Sequence, residues 1–144
     1  MTHEDSGHYA KKHPDGTTAD PEIAEFVEKN LESGKISCAA AHKVAQELNV
    51  SPAEVGKTID LVELRISKCQ LGLFGYEPEK KIVTPVATVA PEIRDAIEAS
   101  MIAGRLSCVS SWELAERFSL SKMKISAACE AMGVKVNPCQ LGAF

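Results

Sequence analysis

Four cysteines recur in pairs along the chain, with the same spacing inside each pair. Cys38 and Cys69 lie in the first half of the sequence, and Cys108 and Cys139 lie in the second. Two thiols that meet in one fold could form a redox-active disulfide, which is the chemistry of thiol-based sensors. Free cysteines also serve as small buried apolar side chains, which is the simpler interpretation. No C-x-x-C spacing is present, so no metal site is predicted.

The cysteines recur because the sequence is duplicated. Residues 21–74 and 91–144 align without a gap and share Pro-Glu-Ile at the start, Ser-Cys in the middle and Cys-Gln-Leu-Gly-x-Phe at the end. Such a pattern predicts two folding units with the same elements in the same order. The polar residues 1–20 are predicted to be a flexible tail, and residues 75–90, which contain two prolines, a semi-rigid linker.

Start and stop signals predict three helices and two short strands in each repeat. Asp20 precedes a proline and a glutamate, which is typical of a helix start, and Gly34 marks the end of that first helix. A short strand is predicted over 35–37 and a second helix over 38–48. Ser51 opens a capping box that begins a third helix, and an extended segment follows at 66–70. The expected fold class is mainly α with small β elements.

The second and third helices resemble the helix-turn-helix of winged-helix transcriptional regulators. The resemblance is carried by a small residue, a turn residue, a capping serine and a branched residue at the family's spacing, which are Ala45, Asn49, Ser51 and Val55 in the first repeat and Ala115, Ser119, Ser121 and Ile125 in the second. It implies two tandem winged-helix-like repeats in a DNA-binding, transcription-regulatory protein. A protein-docking or homodimerisation module on the same scaffold is the alternative, because this scaffold serves several functions.

If the resemblance holds, nucleic-acid contacts come from the third helices. The residues predicted to make them are Ser51, Lys57, Arg65, Ser121, Lys122, Lys124 and Lys135. The formal net charge of −4 provides no general basic field, so a local basic surface must suffice. The second repeat is less acidic than the first and is the favoured DNA contact. No basic wing hairpin is expected after the second Cys-Gln-Leu-Gly-x-Phe segment.

Several function classes find no support in the sequence. It contains no phosphate-binding loop, nucleophile elbow or zinc-hydrolase motif, so neither an enzyme nor a cofactor is predicted. No apolar run approaches the roughly 18 residues of a membrane span. The N-terminal region lacks the apolar core of a secretory signal, so a cytoplasmic protein with reduced cysteines is expected.

Overall fold

The computed structural model describes residues 8–144 and is mainly helical. After a short 3₁₀ helix, each repeat contributes three α-helices and two strands, which in chain order are α1 (Pro21–Lys29), β1 (Lys35–Ser37), α2 (Cys38–Leu48), α3 (Pro52–Leu61), β2 (Arg65–Ser67), α4 (Pro91–Ser100), β3 (Arg105–Leu106), α5 (Cys108–Arg117), α6 (Lys122–Met132) and β4 (Lys135–Val136). Within the described range, no helix is both long enough and apolar enough to span a membrane.

Capping side chains begin the helices, and three of them, Asp20, Ser51 and Ser121, were predicted from the sequence. The side chain of Asp20 accepts hydrogen bonds from the first backbone N–H groups of α1, and Ser37 does the same for α2. Ser51 and Ser121 cap the third helices in the same way, each accepting from the backbone N–H three residues later. These bonds satisfy N–H groups that have no partner inside the helix, which fixes where each helix begins.

A tight turn joins the second and third helices in both repeats. Asn49 and Ser119 have left-handed φ angles of 53° and 54°, which reverse the chain after the second helix. Behind the turn, the backbone N–H of Val50 donates to the carbonyl of Ala45, and Leu120 repeats this bond in the second copy. The third helix of each repeat therefore starts where the pattern places it.

The strands form two separate two-stranded parallel sheets. β1 pairs with β2 and β3 with β4, so the second and third helices of each repeat form the crossover between parallel strands. Within residues 8–144, neither sheet has a third strand. Cys69 was predicted to lie in the last strand of its repeat, but β2 ends at Ser67 because Lys68 adopts a left-handed φ of 50° and turns the chain.

The folding units do not coincide with the sequence repeats, because the repeats exchange their C-terminal segments. Unit 1 consists of the chain up to Cys69 together with Gln140–Phe144, and unit 2 is Gln70–Cys139. The boundaries predicted at 21–74 and 91–144 therefore differ from the observed units at the last five residues of each repeat. The predicted linker, residues 75–90, belongs to unit 2, where Val83 is buried and its N–H donates to the carbonyl of Gly72.

The third helix lies at the centre of each unit's core. In unit 1, Val55 and Ile59 are fully buried, and in unit 2, Ile125 and Cys129 hold the corresponding places, as predicted. Other fully buried side chains come from the first and second helices and from the strands, namely Val27, Ile36 and Val44 in unit 1 and Ile97 and Leu106 in unit 2. Each core thus joins all three helices to the small sheet beside them.

The segment before α1 is docked on unit 1 and is not a loose tail in the part that the structure describes. Tyr9–Lys12 forms the 3₁₀ helix, and the side chain of Tyr9 is only 1% exposed. The backbone N–H groups of Tyr9 and Ala10 donate to the two carboxylate oxygens of Glu63 at 2.9 and 2.8 Å. The predicted flexibility was wrong for this segment, since a carboxylate distant in sequence satisfies its backbone. Residues 1–7 of the predicted tail lie outside the described range.

Candidate nucleic-acid interface

In unit 1, the N-terminal segment and the exchanged C-terminal segment cover one side of α3. Asp60 is 3% exposed, and its carboxylate pairs with the ammonium of Lys12 at 3.2 Å and with His13 Nε2 at 2.8 Å. Lys12 also donates to the carbonyl of Gly142 at 3.0 Å, which joins both covering segments to one charged group. With the opposite side of α3 in the core, the first turn is the part of this helix most open to solvent.

A matching arrangement covers α6 in unit 2. Here residues 70–86 take the place of the two segments of unit 1. Lys81 pairs with Glu130 at 2.8 Å, and the N–H of Val86 donates to the carbonyl of Ala127. In both units, then, a lysine from the segment before the first helix holds an acidic residue of the third helix. Lys-Lys pairs at 11–12 and 80–81 are the sequence signal that could have revealed this contact.

The predicted nucleic-acid residues of the third helices differ between the two units. The hydroxyl groups of Ser51 and Ser121 cap the third helices by accepting backbone hydrogen bonds. In α3, Lys57 pairs with Glu54 of the same helix at 3.1 Å. In α6, Lys124 is exposed, and the ammonium of Lys122 lies 4.6 Å from the centre of the Trp112 ring. Within residues 8–144 no carboxylate pairs with either of these lysines. The first turn of α6 therefore carries two lysines whose charges are not neutralised by a described carboxylate.

The remaining two residues were predicted to lie in the third helices, but these helices end earlier, at Leu61 and Met132, and both residues begin the second strand of a sheet. Arg65 lies opposite Lys35, and Lys135 lies opposite Arg105. Both members of the pair in unit 2 are exposed, and no acidic partner accompanies them in the described part of the chain. Like charges at directly opposed strand positions repel each other, so this arrangement would be stabilised by a bound anion. Arg105 was not predicted from the sequence, because the sequence does not show which residue of one strand lies opposite which residue of the other.

The structure does not gather all the predicted residues into one cluster. α6 has eleven residues, a length of about 16 Å at 1.5 Å per residue. Lys122 and Lys124 lie at its start, whereas Lys135 follows its end. The cations of unit 2 thus form two groups at opposite ends of the third helix.

The four repeated cysteines converge in pairs inside each unit, beside the end of the parallel ladder. Cys38 and Cys108 are the first residues of α2 and α5, and Cys69 and Cys139 lie just beyond β2 and β4. Three of these side chains are buried, and that of Cys139 is partly exposed. The fifth cysteine, Cys129, is a core residue of α6, and burial raises the pKa of its thiol to about 11. It was predicted as a buried apolar filler, and its burial is confirmed.

Comparison with protein families, with characterised proteins and with solved structures finds no match for this chain. The function must therefore be argued from the geometry of the two units. Two features recur in both units, namely the left-handed turn between the second and third helices and the paired cysteines.

Proposed function

We propose that this protein binds double-stranded DNA through unit 2, with the first turn of α6 in the major groove, and that it acts as a transcriptional regulator. The observation that carries the proposal is the start of α6, where Lys124 is exposed, Lys122 is half-exposed, and no carboxylate of residues 8–144 pairs with either of these two lysines. In helix-turn-helix proteins, the N-terminal residues of the second helix reach the base edges. The covered remainder of α6 is therefore compatible with this mode of binding.

The basic pair at the start of the second sheet supports the same proposal. Arg105 and Lys135 face each other across the ladder, and a phosphate between them would relieve their repulsion. Contacts of this kind position a protein on the duplex, while contacts from the third helix discriminate bases. A local surface of this kind suffices even in a chain of net charge −4, because phosphate neutralisation depends on the cations near the backbone.

In this proposal the DNA contacts come from unit 2, and Lys57 of unit 1 makes none. The first turn of the third helix in unit 1 contains Glu54, and that carboxylate pairs with Lys57. An acidic residue at the position that meets the groove would repel DNA phosphates. The difference between the two first turns provides an internal control for the experiment below.

The proposal is tested by measuring the affinity for short duplexes as a function of salt, using fluorescence anisotropy. Lys124→Glu and Lys135→Glu each reverse an exposed cation, and Lys57→Glu is the matched control in unit 1. The logarithm of the affinity falls with the logarithm of salt concentration by about 0.9 for each phosphate contact. Each test variant should reduce this slope by about that amount and weaken binding at low salt.

Circular dichroism and thermal melting should first show that all three variants fold like the unmodified protein. The proposal requires Lys57→Glu to bind as well as the unmodified protein does. Equal losses in all three variants would reveal a nonspecific charge effect, and salt-independent binding of the unmodified protein would also refute the assignment.

A further inference from the structure

A hydrogen bond just beyond the second sheet brings the backbone of Cys108 close to that of Cys139. The ladder ends where Leu106 pairs with Val136, and the carbonyl of Leu106 accepts from the N–H of Asn137 at 2.9 Å. Beyond it, the N–H of Cys108 donates to the carbonyl of Pro138, the residue before Cys139, at 3.0 Å.

The segments that follow the two strands differ in length by one residue. Two steps from Leu106 lead to Cys108, whereas three steps from Val136 lead to Cys139. The additional residue lies after the ladder has ended at Val136. In unit 1, the ladder ends at Ser37 and Ser67, and Lys68 occupies the place of the extra residue. Cys38 and Cys69 follow at the corresponding positions.

Strand neighbours are about 4.8 Å apart, and disulfides join residues whose Cα atoms are about 4.4–6.8 Å apart. The hydrogen bond from Cys108 to Pro138 holds the two segments of unit 2 at about this spacing, which a disulfide can span. Purely apolar packing would explain a buried cysteine at any one of these positions. It does not account for a cysteine after each of the two paired strands, at the same positions in both repeats.

We infer that each cysteine pair is a dithiol that closes reversibly to a disulfide by exchange with a small-molecule disulfide. In unit 2, the partly exposed Cys139 is the attacking residue. Its thiolate, formed by loss of a proton to water, bonds to one sulfur of the oxidant and displaces the other as a thiolate, which takes up a proton.

The second step closes the ring within the protein. Cys108 loses its proton, and its sulfur attacks Cys139, displacing the remaining half of the oxidant as a thiol. In total, two protein thiols give up two protons and two electrons, and the small disulfide is reduced to two thiols. An excess of a small dithiol reverses both steps.

Burial predicts an order for the two units. Cys69, the counterpart of Cys139, is only 5% exposed, so the oxidant reaches unit 1 less readily. The unit 2 pair should close first. This dithiol assignment is independent of the proposed DNA binding, because none of the four cysteines belongs to the proposed contact surface.

The experiment treats the reduced full-length protein with oxidised glutathione and follows free thiols and intact mass over time. The expected result is loss of two thiols without retained glutathione, followed by slower loss of two more, and full recovery with a dithiol reductant. Peptide mapping should join Cys108 to Cys139 and Cys38 to Cys69. Cys108→Ser should instead retain one glutathione on Cys139, because the second step has lost its attacking sulfur.

Cys129→Ser is the matched control, and it should oxidise like the unmodified protein. Circular dichroism checks that both variants fold. Retention of glutathione on Cys139 in the unmodified protein would refute the inference, as would disulfides that involve Cys129 or link two chains. Unchanged thiols in the unmodified protein, under conditions that modify Cys108→Ser, would refute it as well.

Discussion

Gly56→Ala is expected to destabilise this protein, although the same change in an ordinary helix is stabilising. Gly56 is buried within α3, and the exchanged C-terminal segment crosses it so closely that a Cβ atom would overlap the carbonyl oxygen of Leu141. The overlapping atom belongs to the backbone, so no side-chain rotation removes the clash. An alanine at this position must displace the segment that ends the chain.

The magnitude follows from what the displaced segment buries. Leu141 is 2% exposed, and burying a leucine side chain contributes about 1.5–3 kcal/mol to stability. Replacing a helical glycine by alanine would by itself contribute about 0.5–1 kcal/mol in the opposite direction. The net loss in the free energy of unfolding is therefore about 1–2 kcal/mol. For a small domain this corresponds to a decrease in Tm of roughly 4–16 °C.

The assay is thermal and urea unfolding of four proteins: the unmodified chain, Gly56→Ala, a chain lacking residues 140–144, and the two changes combined. In the shortened chain the clash is gone, so Gly56→Ala should stabilise by about 0.5–1 kcal/mol. The sign of the same substitution thus depends on a segment far away in the sequence. A carboxypeptidase should also trim the Gly56→Ala protein faster than the unmodified chain. Stabilisation by Gly56→Ala in the full-length chain would show that the segment does not lie where it is described.

Three further predictions concern other buried groups. Asp60→Asn should release the N-terminal segment by weakening the pairing with Lys12 and His13, lowering stability by about 1–3 kcal/mol and increasing amide exchange around residue 9. Ser126→Ala should raise the free energy of unfolding by up to about 1 kcal/mol, because this buried hydroxyl has no hydrogen-bond partner within residues 8–144; a loss in urea unfolding would contradict that. Cys129 should resist alkylation at neutral pH, because burial raises the pKa of its thiol from 9.0 to about 11. As the pH rises, the unfolded chain loses this proton before the folded protein does. The free energy of unfolding should therefore fall between pH 9 and pH 11. The same pH scan of Cys129→Ser should lack that component of the decrease.

Local structure was the part of the fold that the sequence predicted well. Asp20, Ser51 and Ser121 cap helices because their side chains bond to backbone groups only two or three residues away. The left-handed turn at Asn49 is likewise decided by neighbouring residues. Such features depend on short-range chemistry and can be identified without knowledge of the tertiary fold.

Long-range pairing could not be predicted in the same way. The segments at 70–74 and 140–144 are nearly identical, so hydrophobic pattern alone cannot decide which third helix each one covers. The docking of the N-terminal segment depends on Glu63, a carboxylate more than fifty residues away, and polar composition alone suggested flexibility. For the candidate interface, the sequence named Lys124 and Lys135 but could not show that Lys57 is paired with Glu54.

The exchanged segments change what a cut in the chain would do. A protease that cleaved after Glu79 would leave one fragment with most of unit 1 and the first part of unit 2, and another with the rest of unit 2 and the last five residues of unit 1. Each unit would then be assembled from both fragments. A nicked molecule would therefore stay together as long as its units remain folded, and neither unit can be isolated intact by cutting between the repeats.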